Sequence, residues 1–458
     1  MDDFSQLPLS DSLRAGVDAL GYRQPTPVQA QSLPAILEGR DVIAQAPTGS
    51  GKTAAFGLGL LHRLDPATLR LQALVLCPTR ELAEQVAQQI RKLALGIPNL
   101  KVMQLCGGMA LAPQIASLEA HDPHVVVGTP GRVQELMRKK VLHLGGVRTL
   151  VLDEADRMLD MGFEEPIREI VGKLPRDRQS LLFSATFPDA IRAIGRTVLR
   201  EPLEVTVGGE ESAVDIEQRF VEVDPARKQL ALAGFLAAER PESVVVFCNM
   251  RKDADEVATS LQHFGFSALA LHGDMEQRDR EEVLVRFTNR SCNVLVASDV
   301  AARGLDIADL AAVVNYDLPT DADTYVHRIG RTGRAGRSGW ALSLCTPRER
   351  PRTAMLEERL GRPLRWDSGI PAAPRANSAT PAPMTTLRID AGKTDKLRPG
   401  DILGALTGDA GLPGSSIGKI AIYPTRSYVA VARGQAAQAL ARLNAGRIKG
   451  RNFRVRRI

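Results

Sequence analysis

The stretch Thr149-Leu-Val-Leu-Asp-Glu-Ala-Asp156 decides how the chain is read. Its apolar half reads as a buried parallel strand. Three carboxylates within four positions then emerge at the C-terminal edge, where open α/β sheets bind their ligands. Like charges this dense repel, so a cation or a basic partner is expected beside them. Taken alone, the stretch could equally be a solvated helix start capped by acids. Upstream, Asp41-Val-Ile-Ala-Gln45 reads as another strand and runs into Ala46-Pro-Thr-Gly-Ser-Gly-Lys-Thr53. A phosphate-cradling loop plus an acidic strand end is the minimum for a Mg-nucleotide site.

The loop's chemistry follows from its residue types. Thr48, Gly49, Ser50 and Gly51 let backbone N–H groups approach phosphate oxygens, and the helix start behind them adds its dipole. Lys52 is expected to reach the β- and γ-phosphates and Thr53 to hold Mg²⁺. Ala46 stands where the general pattern has Gly.

Working outward from this pair, strand-like and helix-like segments alternate. Apolar runs at 41–46, 73–77, 102–105, 125–128, 150–153 and 181–184 are separated mostly by helical patterns, which predicts a doubly wound parallel sheet. A second series follows the polar break at 208–212, with strand candidates at 244–248, 268–271, 294–297, 312–315 and 341–345. It contains no second Gly-Lys-Thr loop. The expected organisation is one α/β domain over 1–208 and a similar one over 209–366. A Pro/Ala/Ser linker over 367–384, expected to be mobile and extended, then leads to an α+β module over 385–458 with a β-α-β-β-α-β reading.

Composition bounds the possibilities. The 458 residues are 44% hydrophobic and 24% charged, as in a soluble globular protein. No apolar run reaches the ~18 residues of a membrane span, the acidic N-terminus is no signal peptide, and a cytoplasmic protein is expected. The five cysteines are scattered, never paired as CxxC, and read as reduced core residues. The net charge of +6 is uneven: from Thr385 onward 14 Lys/Arg face 4 Asp/Glu, and no acid follows Asp409. A basic tail on a mildly acidic body points to an anionic polymer as partner, a solvated basic face being the alternative.

These residues also carry a family resemblance. The phosphate loop followed by Asp153-Glu-Ala-Asp156 resembles the DEAD-box RNA helicases, and the rest of that family's motifs stand in order over nearly all of residues 1–345. Gly21–Gln29 resembles the adenine-reading Q motif, with Phe4 as its upstream aromatic. Pro78–Ala83, Gly107-Gly108 and Thr129–Arg132 resemble the RNA-backbone motifs, and Ser184-Ala-Thr186 the motif linking hydrolysis to unwinding. Ala297–Ile307 and His327–Arg334 complete the set. The C-terminal module resembles an RNA-recognition fold, and the whole arrangement resembles the bacterial DbpA subfamily.

The resemblance implies a fold of two tandem RecA-like doubly wound parallel-sheet domains plus a C-terminal RRM-like domain. It also implies roles. Glu154 would activate the attacking water. Asp153 would bind Mg²⁺ through water, since that ion sheds its hydration reluctantly. Gln29 would read adenine, for which its amide has both donor and acceptor. Tyr22 would stack, although a structural tyrosine is the alternative. Asp306 would bind the ribose, and Arg331 and Arg334 would serve as arginine fingers from the half without the phosphate loop. Asp156, Ser184, Thr186 and His327 would couple hydrolysis to motion. Arg80, Gly108, Thr129, Arg132, Gln277, Arg280 and Ser298 would hold an RNA backbone, which positions a strand but carries no sequence information. Met250 stands where Thr is common in the family and leaves that loop's role open.

In the C-terminal module the usual sheet aromatics are mostly missing. Arg388 and Arg426 stand where rings are expected, with Tyr428 the one candidate for stacking, so Arg426 and Tyr428 are the RNA-contacting candidates. The subfamily implies, as partner, a 23S ribosomal RNA hairpin near the peptidyl-transferase centre and pre-50S particles, with no membrane or obligate protein partner. The rival readings are an ATP-gated RNA clamp with little unwinding, and a DNA helicase.

Overall fold

The computed structural model describes residues 3–47, 49–187, 189–207, 216–299, 310–333, 339–377, 379, 381–409 and 411–458. The described residues divide into two compact units, one up to residue 207 and the other from residue 216 onward.

The first unit holds seven parallel strands: β1 (Val42–Gln45), β2 (Ala73–Leu76), β3 (Val102–Leu105), β4 (Val125–Gly128), β5 (Thr149–Asp153), β6 (Gln179–Ser184) and β7 (Leu203–Thr206). Their order is β3-β4-β2-β5-β6-β1-β7. Strand residues alternate between the two faces. In β2, Ala73 and Val75 join a core with Val28, Phe56 and Ile90, while Leu74 and Leu76 join another with Val133, Met158 and Ile170. Helices thus cover both faces, which is why these strands are apolar at every position.

Register makes the strand ends flush where the chemistry is expected. Asp153 pairs with Phe183, and Gln45 with Ser184. The loops after β1, β5 and β6 therefore leave the sheet side by side.

The second unit opens with another parallel sheet: β8 (Ile216–Glu222), β9 (Val244–Cys248), β10 (Ala268–Leu271), β11 (Val294–Ser298), β12 (Ala312–Asn315), β13 (Gly339–Cys345) and β14 (Trp366–Asp367). Their order is β10-β11-β9-β12-β13-β8-β14. Both RecA-like layouts match the expectation, but β7, β8 and β14 do not show as strands in the sequence. All five cysteines are free and buried. Among the described residues no helix is long and apolar enough to cross a membrane.

The same unit ends in a four-stranded antiparallel sheet of β15 (Met384–Ile389), β16 (Ile417–Ile422), β17 (Ser427–Ala432) and β18 (Val455–Arg457), ordered β16-β17-β15-β18. Leu387, Ile389, Val429 and Val431 face a core with Ile402, Ala439 and Leu443 from its own helices. The alternate residues Thr386, Arg388, Tyr428 and Ala430 are buried as well. Their cover includes the helix Gln277–Thr288 and the turn after it. Arg426 donates to Glu281 at 2.7 Å and Arg388 to Glu282 at 3.4 Å. Thr386 meets Ser291 at 2.6 Å and Asn289 at 3.3 Å.

The connecting segment touches the same half. Asn377 N–H donates to the carbonyl of His263 and Ala379 N–H to that of Phe264.

Candidate nucleotide and nucleic-acid sites

The phosphate loop is held by the start of the helix Pro27–Leu37. Thr26 Oγ1 donates to the Ser50 carbonyl at 2.7 Å. Gln29 Nε2 donates to the Gly51 carbonyl at 3.0 Å, while its Oε1 accepts the Thr26 N–H at 2.9 Å. That leaves Gln29 one N–H and one lone pair, which is what an adenine edge needs. Gly51 has φ +93°, and a Cβ there would sit 2.5 Å from Gln29 Nε2, so only glycine closes this loop. Gly49 also has positive φ. Thr48 lies outside the described residues. Tyr22 stacks on Phe4 with ring centroids 6.2 Å apart, and its hydroxyl accepts from Gln89 at 2.6 Å.

Lys52 begins the helix Lys52–His62, with Thr53 beside it at half-exposure. The Lys52 ammonium is buried and donates to the Ala46 carbonyl at 2.7 Å. Burial pushes its pKa down, with Asp153, Glu154 and Asp156 opposing.

Asp153 ends β5 only 2% exposed, and its Oδ1 has no hydrogen-bond partner. Burial raises its carboxyl to about 7, against the pull of Lys52. An orphaned, desolvated carboxylate oxygen is the donor a hard divalent cation takes. No cluster of three ligand-type side chains occurs among the described residues. The unpartnered Asp153 oxygen fits Mg²⁺, which is bound by one or two carboxylates with water and phosphate supplying the rest.

Glu154 turns the chain through a left-handed conformation, φ +52°, at the start of the helix Ala155–Asp160. It pairs with Arg157 at 2.8 Å. Asp156 faces the loop after β6. Its Oδ2 accepts the N–H groups of Ala185 at 3.2 Å and Thr186 at 2.9 Å, and Thr186 Oγ1 at 3.0 Å. In return the Asp156 N–H donates to Ser184 Oγ at 3.2 Å. One carboxylate thus fastens the acidic strand end to Ser184–Thr186, uniting all three coupling candidates of this unit.

The strand-holding candidates of the first unit converge at the ends of β2, β3 and β4. Gly108, at φ +69°, lies so close to Arg80 that a Cβ would meet its guanidinium carbon at 2.2 Å. Gly107 N–H donates to Thr129 Oγ1 at 3.2 Å, and Arg132 Nη2 to the Met109 carbonyl at 3.0 Å. Arg132 is buried, with Nη1 lacking a hydrogen-bond partner.

In the second unit Gln277 and Arg280 occupy the first turn of their helix, and Ser298 ends β11 with its hydroxyl buried and without a hydrogen-bond partner. Met250 is exposed just before the helix Arg251–His263. His327 lies on the helix Ala322–Ile329, and Arg331 is buried just beyond it. Asp306 and Arg334 lie outside the described residues. Tyr428 is fully buried with its ring edge-on to Tyr423, so it offers no open face to a base in this arrangement. Its neighbour Arg426 is occupied by Glu281.

Sequence reading missed two residues. Arg157 could have been found from its i,i+3 spacing to Glu154. Arg328 is 2% exposed and donates to Asp299 at 2.6 and 2.7 Å, to Asn249 at 2.8 Å and to the Asp317 carbonyl at 2.7 Å. Its signal was hidden inside a run read for Arg331 and Arg334.

Comparison with known proteins agrees with this geometry. Residues 26–194 match the DEAD/DEAH box helicase family, 227–336 the helicase conserved C-terminal domain and 386–457 the DbpA RNA binding domain. The chain belongs to the DEAD-box ATP-dependent RNA helicases, enzymes with RNA-stimulated ATPase activity. It is 52% identical to the ATP-dependent RNA helicase DbpA of Escherichia coli over 96% of each chain, and falls in that subfamily. It is 45% identical to the helicase CshA of Bacillus cereus over 76% of this chain and 66% of that protein. Saccharomyces cerevisiae Dbp5 bound to RNA and ADP BeF3 is similar in structure, with TM-score 0.73 and 32% identity over 80% of this chain and 96% of that one.

Proposed function

We propose that this helicase uses ATP to open or remodel short stretches of 23S ribosomal RNA in the cytoplasm, at a hairpin near the peptidyl-transferase centre of pre-50S particles. The observation that carries the nucleotide part is the buried, unpartnered Oδ1 of Asp153 beside Lys52 and Glu154. Thr53 and Asp153 would hold Mg²⁺, which supplies charge neutralisation at the phosphates when bound. Lys52 exchanges the Ala46 carbonyl for phosphate oxygens. Glu154 orients the attacking water. Gln29 keeps its grip on Gly51 while its remaining donor and acceptor read adenine. Asp156 carries the change to Ser184–Thr186. Arg331 and Arg334 add positive charge to the transition state.

The division of labour follows the expected domains. Residues 1–208 and 209–366 supply ATP-driven work on any RNA backbone. Residues 385–458, reached through 367–384, choose the RNA, as supported by their positive excess and their match to the DbpA RNA binding domain. Deleting 370–458 should leave RNA-stimulated ATPase activity that requires more RNA and no longer prefers the ribosomal fragment. The measurement is the RNA concentration for half-maximal ATPase with a 23S hairpin fragment and with its scrambled sequence. Equal discrimination by intact and truncated chains would place selection in the core instead.

A further inference from the structure

The interface that buries the outer face of the C-terminal sheet treats its arginines in two ways. Arg388 and Arg426 are neutralised by Glu282 and Glu281. Three others are not. Arg286, Arg433 and Arg457 line a cleft of about 220 Å³ together with Ser267, Ser291 and Thr385. Arg286 and Ser291 come from the helicase half; Thr385, Arg433 and Arg457 come from the C-terminal domain. Among the described residues no aspartate or glutamate lines the cleft, whose wall also includes Ile458, the last residue of the sequence.

Several hydrogen-bonding groups around the cleft are unused. Arg433 donates to the Ala382 carbonyl at 2.6 Å and to Ser267 Oγ at 3.3 Å, both neutral acceptors. Arg286 Nε and Thr385 Oγ1 are buried with no hydrogen-bond partner. Among the described residues none of the three arginines forms an ion pair. Burial and the nearby Arg457 both disfavour the charged form of Arg433. Converging cations with unused donors and no ion pair among the described residues suit an anion, and the guanidinium fork fits a phosphate by two parallel hydrogen bonds.

We propose that this cleft binds a backbone phosphate of RNA, gripped by the second helicase half and the C-terminal domain at once. The inference rests on the reading that the C-terminal domain selects the RNA, and deepens it. RNA passing the cleft touches both partners, so its binding strengthens the docking of one on the other. The selecting module is then held in a fixed place on the helicase half that works on the same RNA. Inorganic phosphate or a free nucleotide shares the chemistry, and the experiment separates these sources.

The test uses the full chain with Arg286→Gln and Arg457→Gln, singly and together. Lys173→Gln, an exposed charge on the first unit, serves as control. Affinity for the 23S hairpin fragment is measured from 50 to 300 mM KCl. The double variant should bind about tenfold more weakly, the loss of one charge-assisted contact. Its salt slope should fall by about 0.7–0.9 per phosphate released. Arg286→Lys, which keeps the charge, should keep the slope. ATP binding without RNA and the thermal midpoint should match wild type, which excludes misfolding as the cause.

An unchanged affinity and slope in the double variant overturns the site, whatever the 370–458 deletion does. If that deletion abolishes RNA preference while the double variant binds normally, selection by the C-terminal domain stands and the cleft falls. Thermal stabilisation by millimolar inorganic phosphate or ATP that the variants lose, with RNA affinity unchanged, would assign the cleft to a small anion and overturn the RNA proposal.

Discussion

Arg157 reaches back one helical turn to Glu154 and holds its carboxylate at 2.8 Å, with neither side chain more than 5% exposed. The pair sits beside Asp153, so the residue proposed to orient water is oriented by a neighbour on its own helix.

Removing one member of such a pair strands a buried charge, at a cost of ~3–5 kcal/mol. Arg157→Met should therefore lower the unfolding free energy by about that much, and the Glu154→Gln/Arg157→Met double variant should recover a large part. A double-mutant cycle from denaturant unfolding measures this, and simple additivity would deny the coupling. Glu154→Gln keeps the shape and an oxygen that can accept from Arg157, so the folded variant should still bind ATP and RNA while turnover falls on the order of 10²-fold or more. Near wild-type turnover would remove Glu154 from its proposed role.

Gly51 is tied to Gln29 by space as well as by a hydrogen bond. Gly51→Ala must place a Cβ in a left-handed residue, at ~1–2 kcal/mol, and push Gln29 away from the loop. The expected result is weaker ATP binding, by roughly tenfold or more for a strain of that size, with RNA binding in the absence of nucleotide unchanged. Equilibrium titration with a fluorescent ATP analogue reads the first and RNA filter binding the second.

His124 is a pH-sensitive clamp between the starts of β3 and β4. Its Nδ1 accepts the Lys101 N–H at 3.0 Å, which fixes the proton on Nε2, set to donate to the Pro66 carbonyl at 3.2 Å. Burial lowers the pKa of the ring from 6.5. The unfolded chain therefore binds more protons near and below pH 6.5, and stability contributed above that pH is lost as pH falls through the folded value. Wild type should lose stability relative to His124→Gln between pH 6.5 and 5. Parallel pH profiles from chemical denaturation would contradict the clamp.

Tyr428 carries a buried hydroxyl with no hydrogen-bond partner. Tyr428→Phe removes the orphan and keeps the ring, so the thermal midpoint should hold or rise, by an effect of up to ~1–3 kcal/mol. Tyr428→Ala should cost ~3–5 kcal/mol through the cavity it leaves. A marked loss in the Phe variant would mean that the hydroxyl has a partner in solution.

The nucleotide site was legible because its parts are local: an apolar strand, glycines that permit positive φ, and acids at a strand end. The two large sheets were legible because strands buried on both faces are apolar throughout, as in β2, β4 and β9. β8 was not, since Ile216-Glu-Gln-Arg-Phe-Val-Glu222 mixes charges into a strand whose outer part is half-exposed. β14 is two residues long and exists only by pairing with β8. The bonds of Asn377 and Ala379 to the C-terminal end of a distant helix are made by backbone atoms and leave no pattern in side chains. Tyr428 shows the same limit in the site itself. Its identity suggested stacking on a base, whereas its surroundings are supplied by β15, β16 and, through Glu281 and Glu282, by a helix more than a hundred positions earlier.

The glutamates that meet Arg426 and Arg388 bear on whether this RNA-binding module is portable. Transplanted alone onto another helicase core, residues 385–458 would present Thr386, Arg388 and Tyr428 to a helix lacking Glu281 and Glu282 and a turn lacking Asn289 and Ser291. A chimera builder would have to move both sides of that seam together, because the unit of inheritance here is the module plus the helix it rests on.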